Sequence, residues 1–309
     1  MSLVFSYMNY PANQMEFEKM FSTEQKCIDY LIKIRWPNGF ICPKCKHDDY
    51  WIVEKNLMKC KRCKYRLSPT AATIFHRSKK PLMVWFRAMW WMIVQKNGVS
   101  ALSVQRILGL GSYKTAWTWL HKFRRLMVVP GRDKLSGRVE VDETLVGGKK
   151  SGKRGRGAEG KVLVVIAVEV KDRGAGRARL SIIPSASKRS LKKFITQNVE
   201  SGSCIISDGW KSYNDVELWG YTHEIKNETK TFEKQEVLPN VHRIASLLKR
   251  WLLGTHQSYM NTSHLEYYLD EFTFRYNRRK SKSRGLLFYR LIEQAVAHKP
   301  VSYDKIINT

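Results

Sequence analysis

The chain has 309 residues and a formal charge of +28, with 55 Lys plus Arg against 27 Asp plus Glu. That length exceeds one small module and predicts two or three domains, and 43% hydrophobic residues exclude wholesale disorder. The charge points to a polyanionic partner, nucleic acid before an anionic membrane.

No secretory signal opens the chain, which begins Met1-Ser-Leu-Val-Phe. Residues 14 to 35 read as an amphipathic helix, with Phe17, Met20 and Phe21 and then Cys27, Leu31 and Ile34 at helical spacing. Cys27 is expected as a buried small hydrophobe. Next come Cys42-Pro-Lys-Cys45, a 14-residue gap and Cys60-Lys-Arg-Cys63. Each two-residue gap lets both sulfurs turn toward one ion, so the pairs predict a closed, structural Zn²⁺ site in a ribbon too small to have its own core. Clustered cysteines without a secretion signal favour metal over disulfides and a cytoplasmic location. The ribbon is basic, with Lys44, Lys46, Lys55, Lys59, Lys61, Arg62, Lys64 and Arg66. That suits phosphate contacts or a plain solvated face. His47 reads as a surface residue.

Leu82 to Val94 is the most apolar run, 13 residues containing Arg87. It is too short to span a bilayer and reads as a buried helix opened by Pro81. Ser100 predicts the cap of a short helix to Leu108, Gly109-Leu-Gly111 a turn, and Ser112 the cap of a helix to about Met127. Helix, glycine-bearing turn and helix fit a DNA-binding helix-turn-helix or a plain three-helix bundle; the charge favours the first. Lys114, Lys122, Arg124 and Arg125 are its expected DNA contacts, with Trp117 and Trp119 in the core and His121 on the surface.

Arg138 to Leu145 reads as a strand. Val139, Val141 and Leu145 alternate, so Glu140 and Asp142 share the other face. It is either an edge strand with solvated acids or an inner strand whose carboxylates need a partner or a metal. Gly147 to Gly160 reads as a basic glycine-rich loop, either one that lies along a phosphate backbone, with Lys149, Lys150, Lys153 and Arg154 as candidate DNA contacts, or a disordered surface loop in the free protein. Lys161 to Val170 is a continuous apolar run, hence a central strand covered on both faces. Arg177 to Pro184 completes a three-strand meander, Lys188 to Val199 is a helix, and Cys204 to Ser207 is a short buried strand leading to Asp208. Asp208 is either a helix cap or an acid of the kind that converges at strand ends in open α/β sheets. Pro239 opens a helix stopped by Gly254, with Asn240 as cap and His242 and Lys249 nearly on one face. Alone, His242 reads as a core or capping histidine. His264 to Arg278 is amphipathic, and the tail beyond Leu286 is helical.

These pieces resemble the zinc-ribbon insertion-sequence transposases. The resemblance rests on Arg35-Trp-Pro-Asn-Gly before the first knuckle, Leu67 to His76 after the second, Val139 to Gly148, Ser207-Asp-Gly-Trp210, Val241-His242 with Lys249-Arg250, and Tyr268 to Arg279. It implies a multidomain α+β chain: a helical segment over 1–36, a zinc ribbon over 37–80, a helix-turn-helix over 81–129, and a ribonuclease-H-like α/β domain with a mixed sheet and C-terminal helices over 130–309. It further implies an Asp-Asp-Glu type site for two Mg²⁺ or Mn²⁺ ions. Asp142 and Asp208 are then metal ligands, and His242, 34 positions after Asp208, stands where Glu is usual, with Lys249 contacting phosphate. Glu233 and Glu236 are the alternative third ligands. Transposon ends and target DNA are the implied partners, and a homodimer or higher oligomer on DNA the implied assembly, with no membrane. Two rivals remain: a zinc-ribbon DNA-binding regulator with a catalytically inactive domain, and a nuclease of the same fold that cuts without joining.

Overall fold

The computed structural model describes residues 9–129, 131–147, 161–172, 174–226, 237–256 and 262–308. The chain forms two compact units, Met1–Met127 with Ser281–Thr309, and Val128–Lys280.

The first unit opens with α1 (Gln14–Met20) and α2 (Glu24–Arg35), capped by the side chains of Asn13 and Thr23. A break at Phe21–Thr23 thus divides the single helix expected there. The ribbon follows: β1 (Tyr50–Val53), β2 (Leu57–Cys60) and β3 (Arg66–Leu67) form an antiparallel sheet in that order. Its interior is small: Phe40, Met58 and Leu67 with Cys42 and Cys60.

The next helix, α3 (Leu82–Val94), is buried on most of its circumference. Its opening N–H groups, on Leu82 and Met83, donate to the Glu24 carboxylate at 2.6 and 2.9 Å. An acid 58 residues away therefore does the work of an N-cap. Ser100 caps α4 (Ala101–Leu108), Gly109 at φ +58° ends it, and Ser112 caps α5 (Tyr113–Leu126). The helix-turn-helix elements lie within a residue of their expected bounds. Trp119 stacks on Trp85 at 3.8 Å, as a core residue should.

The second unit is built on a five-stranded sheet from β4 (Arg138–Gly147), β5 (Lys161–Lys171), β6 (Gly174–Ile182), β7 (Cys204–Ser207) and β8 (Thr222–Ile225). The order is β6-β5-β4-β7-β8. The three meander strands are antiparallel, while β4 pairs with β7, and β7 with β8, in parallel. The strand β8 had no counterpart in the sequence reading. One face packs α6 (Lys188–Asn198) on Val139, Val141 and Val165; the other packs α7 (Pro239–His256) and α8 (Leu265–Asn277) on Val164, Ile166 and Val168. Residues Val164 to Val168 are wholly buried, which is why this run carries no polar alternation. The sheet order and mixed directions are the ribonuclease-H-like arrangement. Position three of five settles the character of β4: it is a central strand, and its acids are not edge decoration.

The chain then returns to the first unit with α9 (Arg284–Ala297) and α10 (Tyr303–Ile307). This changes the expected partition, in which residues 281–309 belonged to the catalytic domain. Phe288 is fully buried, with its ring centroid 5.6 to 5.7 Å from those of Phe17, Phe21, Phe86 and Trp90. The tail supplies the aromatic core of the N-terminal unit. Gly285 marks the closest approach: a Cβ there would stand 1.8 Å from the Pro11 carbonyl oxygen.

The same helices correct two expectations on α5. His121 is fully buried against Trp117 rather than on the surface, and Arg124 is 1% exposed, so its guanidinium is not presented to a DNA backbone. Tyr303 of α10 packs on Trp117 at 6.0 Å and lies under the Lys114 ammonium at 3.7 Å. Tyr303 thus packs on the part of α5 that carries Lys114 and Trp117, from chain that arrives nearly 190 residues later.

Asp270 on α8 carries a stability consequence. Burial pushes its carboxyl up to about 7, with Arg132 pulling down and Glu266 adding to the rise. In the unfolded chain it ionises near ~3.9. The folded state thus holds the extra proton between about pH 4 and 7, so this group's stability is present at low pH and lost as pH rises through that window. We expect Asp270→Asn to stabilise the second unit, with a gain at pH 8 larger than at pH 5 by about 2 kcal/mol. Urea unfolding of parent and variant at both pH values measures it; equal gains would show that the carboxyl ionises normally.

Candidate active site

The pairing of β4 with β7 places Glu140 opposite Ile206. Two residues further along each strand stand Asp142 and Asp208. Asp142 lies in the middle of β4, just past the point where β7 stops pairing with it, and Asp208 immediately follows β7. The carboxyl end of a parallel strand such as β7 is where open α/β sheets bind their ligands. Asp208 is exposed, and its Oδ1 accepts from the Trp210 N–H at 3.0 Å, an Asx-type turn helped by Gly209 at φ +80°. It caps no helix: the short 3-10 turn that follows, Lys211–Tyr213, starts from Trp210 and has no side-chain cap. Ser207, wholly buried beside it, bonds the His223 ring of β8 at 2.9 Å and accepts from the Gly209 N–H.

Asp142 is half-buried, and its Oδ1 accepts from the Glu143 N–H at 2.7 Å. Desolvation pushes its carboxyl above the ordinary carboxylate range and the negative charge of Asp208 adds to that; the Glu143 N–H and His242 pull down. A carboxyl whose proton affinity is raised by a neighbouring carboxylate asks for a cation. His242 brings Nε2 to 3.5 Å from Asp142 Oδ2. It does so from the first turn of α7, which begins at Pro239 and runs through Gly254 to His256. Gly254 is thus a helical residue rather than a stop. Lys249 is exposed two turns along α7. The donors are hard oxygens plus one imidazole, a set that fits Mg²⁺ and more so Mn²⁺. They are not gathered to ligand spacing: among the described residues, the four cysteines alone bring three or more potential ligand atoms within 4.8 Å of one another.

Asn240, expected as the cap of α7, is instead capped. Glu140, 4% exposed, accepts from the Asn240 N–H at 2.9 Å, the Asn240 Nδ2 at 2.8 Å and the Val241 N–H at 2.9 Å. The sequence signal was an acid two positions before Asp142 on an apolar strand; its partner, 100 residues away, had none. Glu143 points to the opposite face and accepts from the hydroxyl of the fully buried Tyr213 at 2.7 Å.

In the ribbon, Cys42 and Cys63 place their sulfurs 3.6 Å apart, as do Cys45 and Cys60. Tetrahedral zinc with ~2.3 Å bonds requires sulfurs about 3.7 Å apart, so the four fit the ion. Each pair is closed by the same knuckle: the N–H groups of Lys46 and Lys64 donate back to Cys42 and Cys60. Both lysines hold a left-handed backbone, φ +62° and +57°.

Of the expected DNA contacts, Lys114 is exposed, whereas Lys122 and Arg125 are half-buried. Burial lowers the Lys122 ammonium's proton affinity, and it lies 5.6 Å over the Trp85 ring. Lys149, Lys150, Lys153 and Arg154 fall outside the described residues, as do Glu233 and Glu236. Among the described residues no helix is long and apolar enough to cross a membrane.

Comparison with known proteins adds to this geometry. Residues 134–277 match the model of the ISXO2-like transposase domain, and residues 22–66 that of the transposase zinc-ribbon domain. A protein of Halobacterium salinarum, described as an uncharacterized protein in transposable element ISH50, is 27% identical over 258 residues, covering 76% of this chain and 85% of its own. Among solved structures, the catalytic core domain of BIV integrase shares 19% identity over 45% of this chain and 81% of its own. Its TM-score of 0.30 is too low to bear on the argument.

Proposed function

From a chain that belongs to the zinc-ribbon, ISXO2-like transposases, we propose a DNA transposase that binds its element's ends, cuts them and joins each freed 3′-hydroxyl to target DNA. The observation that carries this is the placing of Asp142 and Asp208 just past the last parallel pair of β4 and β7, close enough for the charge of Asp208 to act on Asp142, with the His242 imidazole 3.5 Å from Asp142. Asp142, Asp208 and His242 would hold the divalent cations, Mg²⁺ or Mn²⁺. When bound, the pair would lower the pKa of an attacking water or 3′-hydroxyl and neutralise the leaving oxygen in an in-line displacement. The chain's own contribution is alignment. Asp142 is fixed by the Glu143 N–H, Asp208 by its turn, and His242 by the first turn of a helix packed on the sheet. Lys249, two turns on, offers an ammonium to the DNA phosphate.

The N-terminal unit would recognise DNA through the zinc-held basic ribbon and the helix-turn-helix, with Lys114 the best-presented cation of α5 and Arg124 withdrawn from that role. Pairing two ends for joining calls for at least a homodimer on DNA. The test is incubation with Mg²⁺ or Mn²⁺ and end-bearing DNA, followed by analysis of products. Joined molecules are the expected result. Cutting without joining would mean a nuclease, and intact DNA with specific binding would mean a regulator.

A further inference from the structure

We propose that Glu140 is the positioning residue that sets His242 over Asp142, so that the third ligand's place is fixed by an acid that itself holds no metal. This rests on the metal-site reading above.

Glu140 and Asp142 lie two apart on β4 and so face the same side of the sheet. Both meet the first turn of α7. Glu140 takes two main-chain N–H groups, of Asn240 and Val241, and the Asn240 amide; Asp142 meets His242. Strand and helix are thereby joined at two successive points, 140 to 240–241 and 142 to 242. The N–H groups that a helix leaves unpaired at its start, and the positive end of its dipole, are satisfied by one nearly buried carboxylate. Three bonds onto two oxygens fix the helix's rotation as well as its distance. A rotation of one residue, about 100°, would carry the imidazole off Asp142. The first unit uses the same construction at Glu24 and α3, where the turn that is held, Leu82 to Trp85, carries no acid, histidine or cysteine. The device is therefore structural in origin, and what distinguishes Glu140 is the ligand in the turn it holds.

The test is Mn²⁺ affinity, measured by calorimetry on the full-length, zinc-loaded chain, for parent, Glu140→Gln, His242→Ala and the double variant. Gln keeps the shape but turns an NH₂ toward N–H donors. Partners that orient a ligand typically change metal affinity by 10–100-fold, so Glu140→Gln should weaken Mn²⁺ by about that factor. In the His242→Ala background the same change should cost less than about threefold, because the group it positions is gone. Equal losses in both backgrounds, or no loss in either, overturn the inference while leaving the metal site standing. A His242→Ala protein that binds Mn²⁺ like the parent removes the third ligand, and the inference with it. If Glu140→Gln lacks a cooperative unfolding transition, Asn240→Ala takes its place. It deletes one of the three bonds and should show a smaller loss, again only when His242 is present.

Discussion

Asp142→Ala and Asp208→Ala should each abolish cleavage and joining of end-bearing DNA, while specific end binding should stay within about threefold of the parent. Phosphoryl transfer leaves the protein little covalent chemistry to perform, so rate resides in holding charge against the reacting phosphorus. Removing a carboxylate that anchors a cation should forfeit about 4 kcal/mol or more of transition-state stabilisation, roughly a thousandfold in rate. Binding should be spared, since recognition is proposed to lie in the ribbon and helix-turn-helix. The fold should also be spared. Asp142 is half-buried with its carboxyl pushed above the usual range by burial and by Asp208, so its charge is a cost to the empty protein. Truncating it relieves that cost, and Asp142→Ala should unfold no earlier than the parent in calorimetry. Loss of activity with retained stability is the signature of a functional acid. Strong metal-dependent cutting by either variant would place the chemistry elsewhere.

Local chemistry was legible in the sequence and long-range closure was not. The cysteine knuckles declare themselves because both ligands of a pair lie within four residues. The caps Ser100 and Ser112, and the left-handed stop at Gly109, are equally local. Alternation on β4 correctly put Glu140 and Asp142 on one face. Whether that face was wet depended on β5 and β7 flanking the strand, a property of pairing. The misses around the candidate site and α5 have distant partners. Glu140 is explained by Asn240, Glu24 by Leu82, and the burial of His121 and Arg124 accompanies helices at the far end of the chain. Gly254 misled for a related reason. Glycine costs a helix about 1 kcal/mol, and α7 buries Val241, Ile244, Leu248 and Leu252 in the second unit's core, enough to carry it past that residue.

Stripping zinc should unfold the ribbon and weaken specific end binding. The ribbon's interior consists of Phe40, Met58 and Leu67 with two of the cysteines themselves, and its third strand is two residues long. Three buried apolar side chains, with Ile32, Trp36, Tyr50 and Ala71 partly buried against them, are too few to offset the ordering of the loops and strands between Phe40 and Leu67. Two lysines are in addition held in the left-handed region, each at a cost of about 1–2 kcal/mol. A four-thiolate zinc site contributes on the order of 10–16 kcal/mol of folding free energy, which exceeds these costs. Chelation should therefore release one equivalent of zinc and flatten the cooperative β-sheet signal of the ribbon. It should weaken end binding by at least about tenfold, and added Zn²⁺ should restore all three. Cys45→Ser should reproduce the loss without the rescue, since three thiolates leave the site open. The aromatic core around Phe288 contains no cysteine ligand, so the helices of the first unit should keep their circular dichroism through the same treatment. If the stripped protein kept both its ribbon signal and its affinity for ends, the four sulfurs would be held at 3.6 Å by the chain alone, and the metal would be no part of how this protein folds.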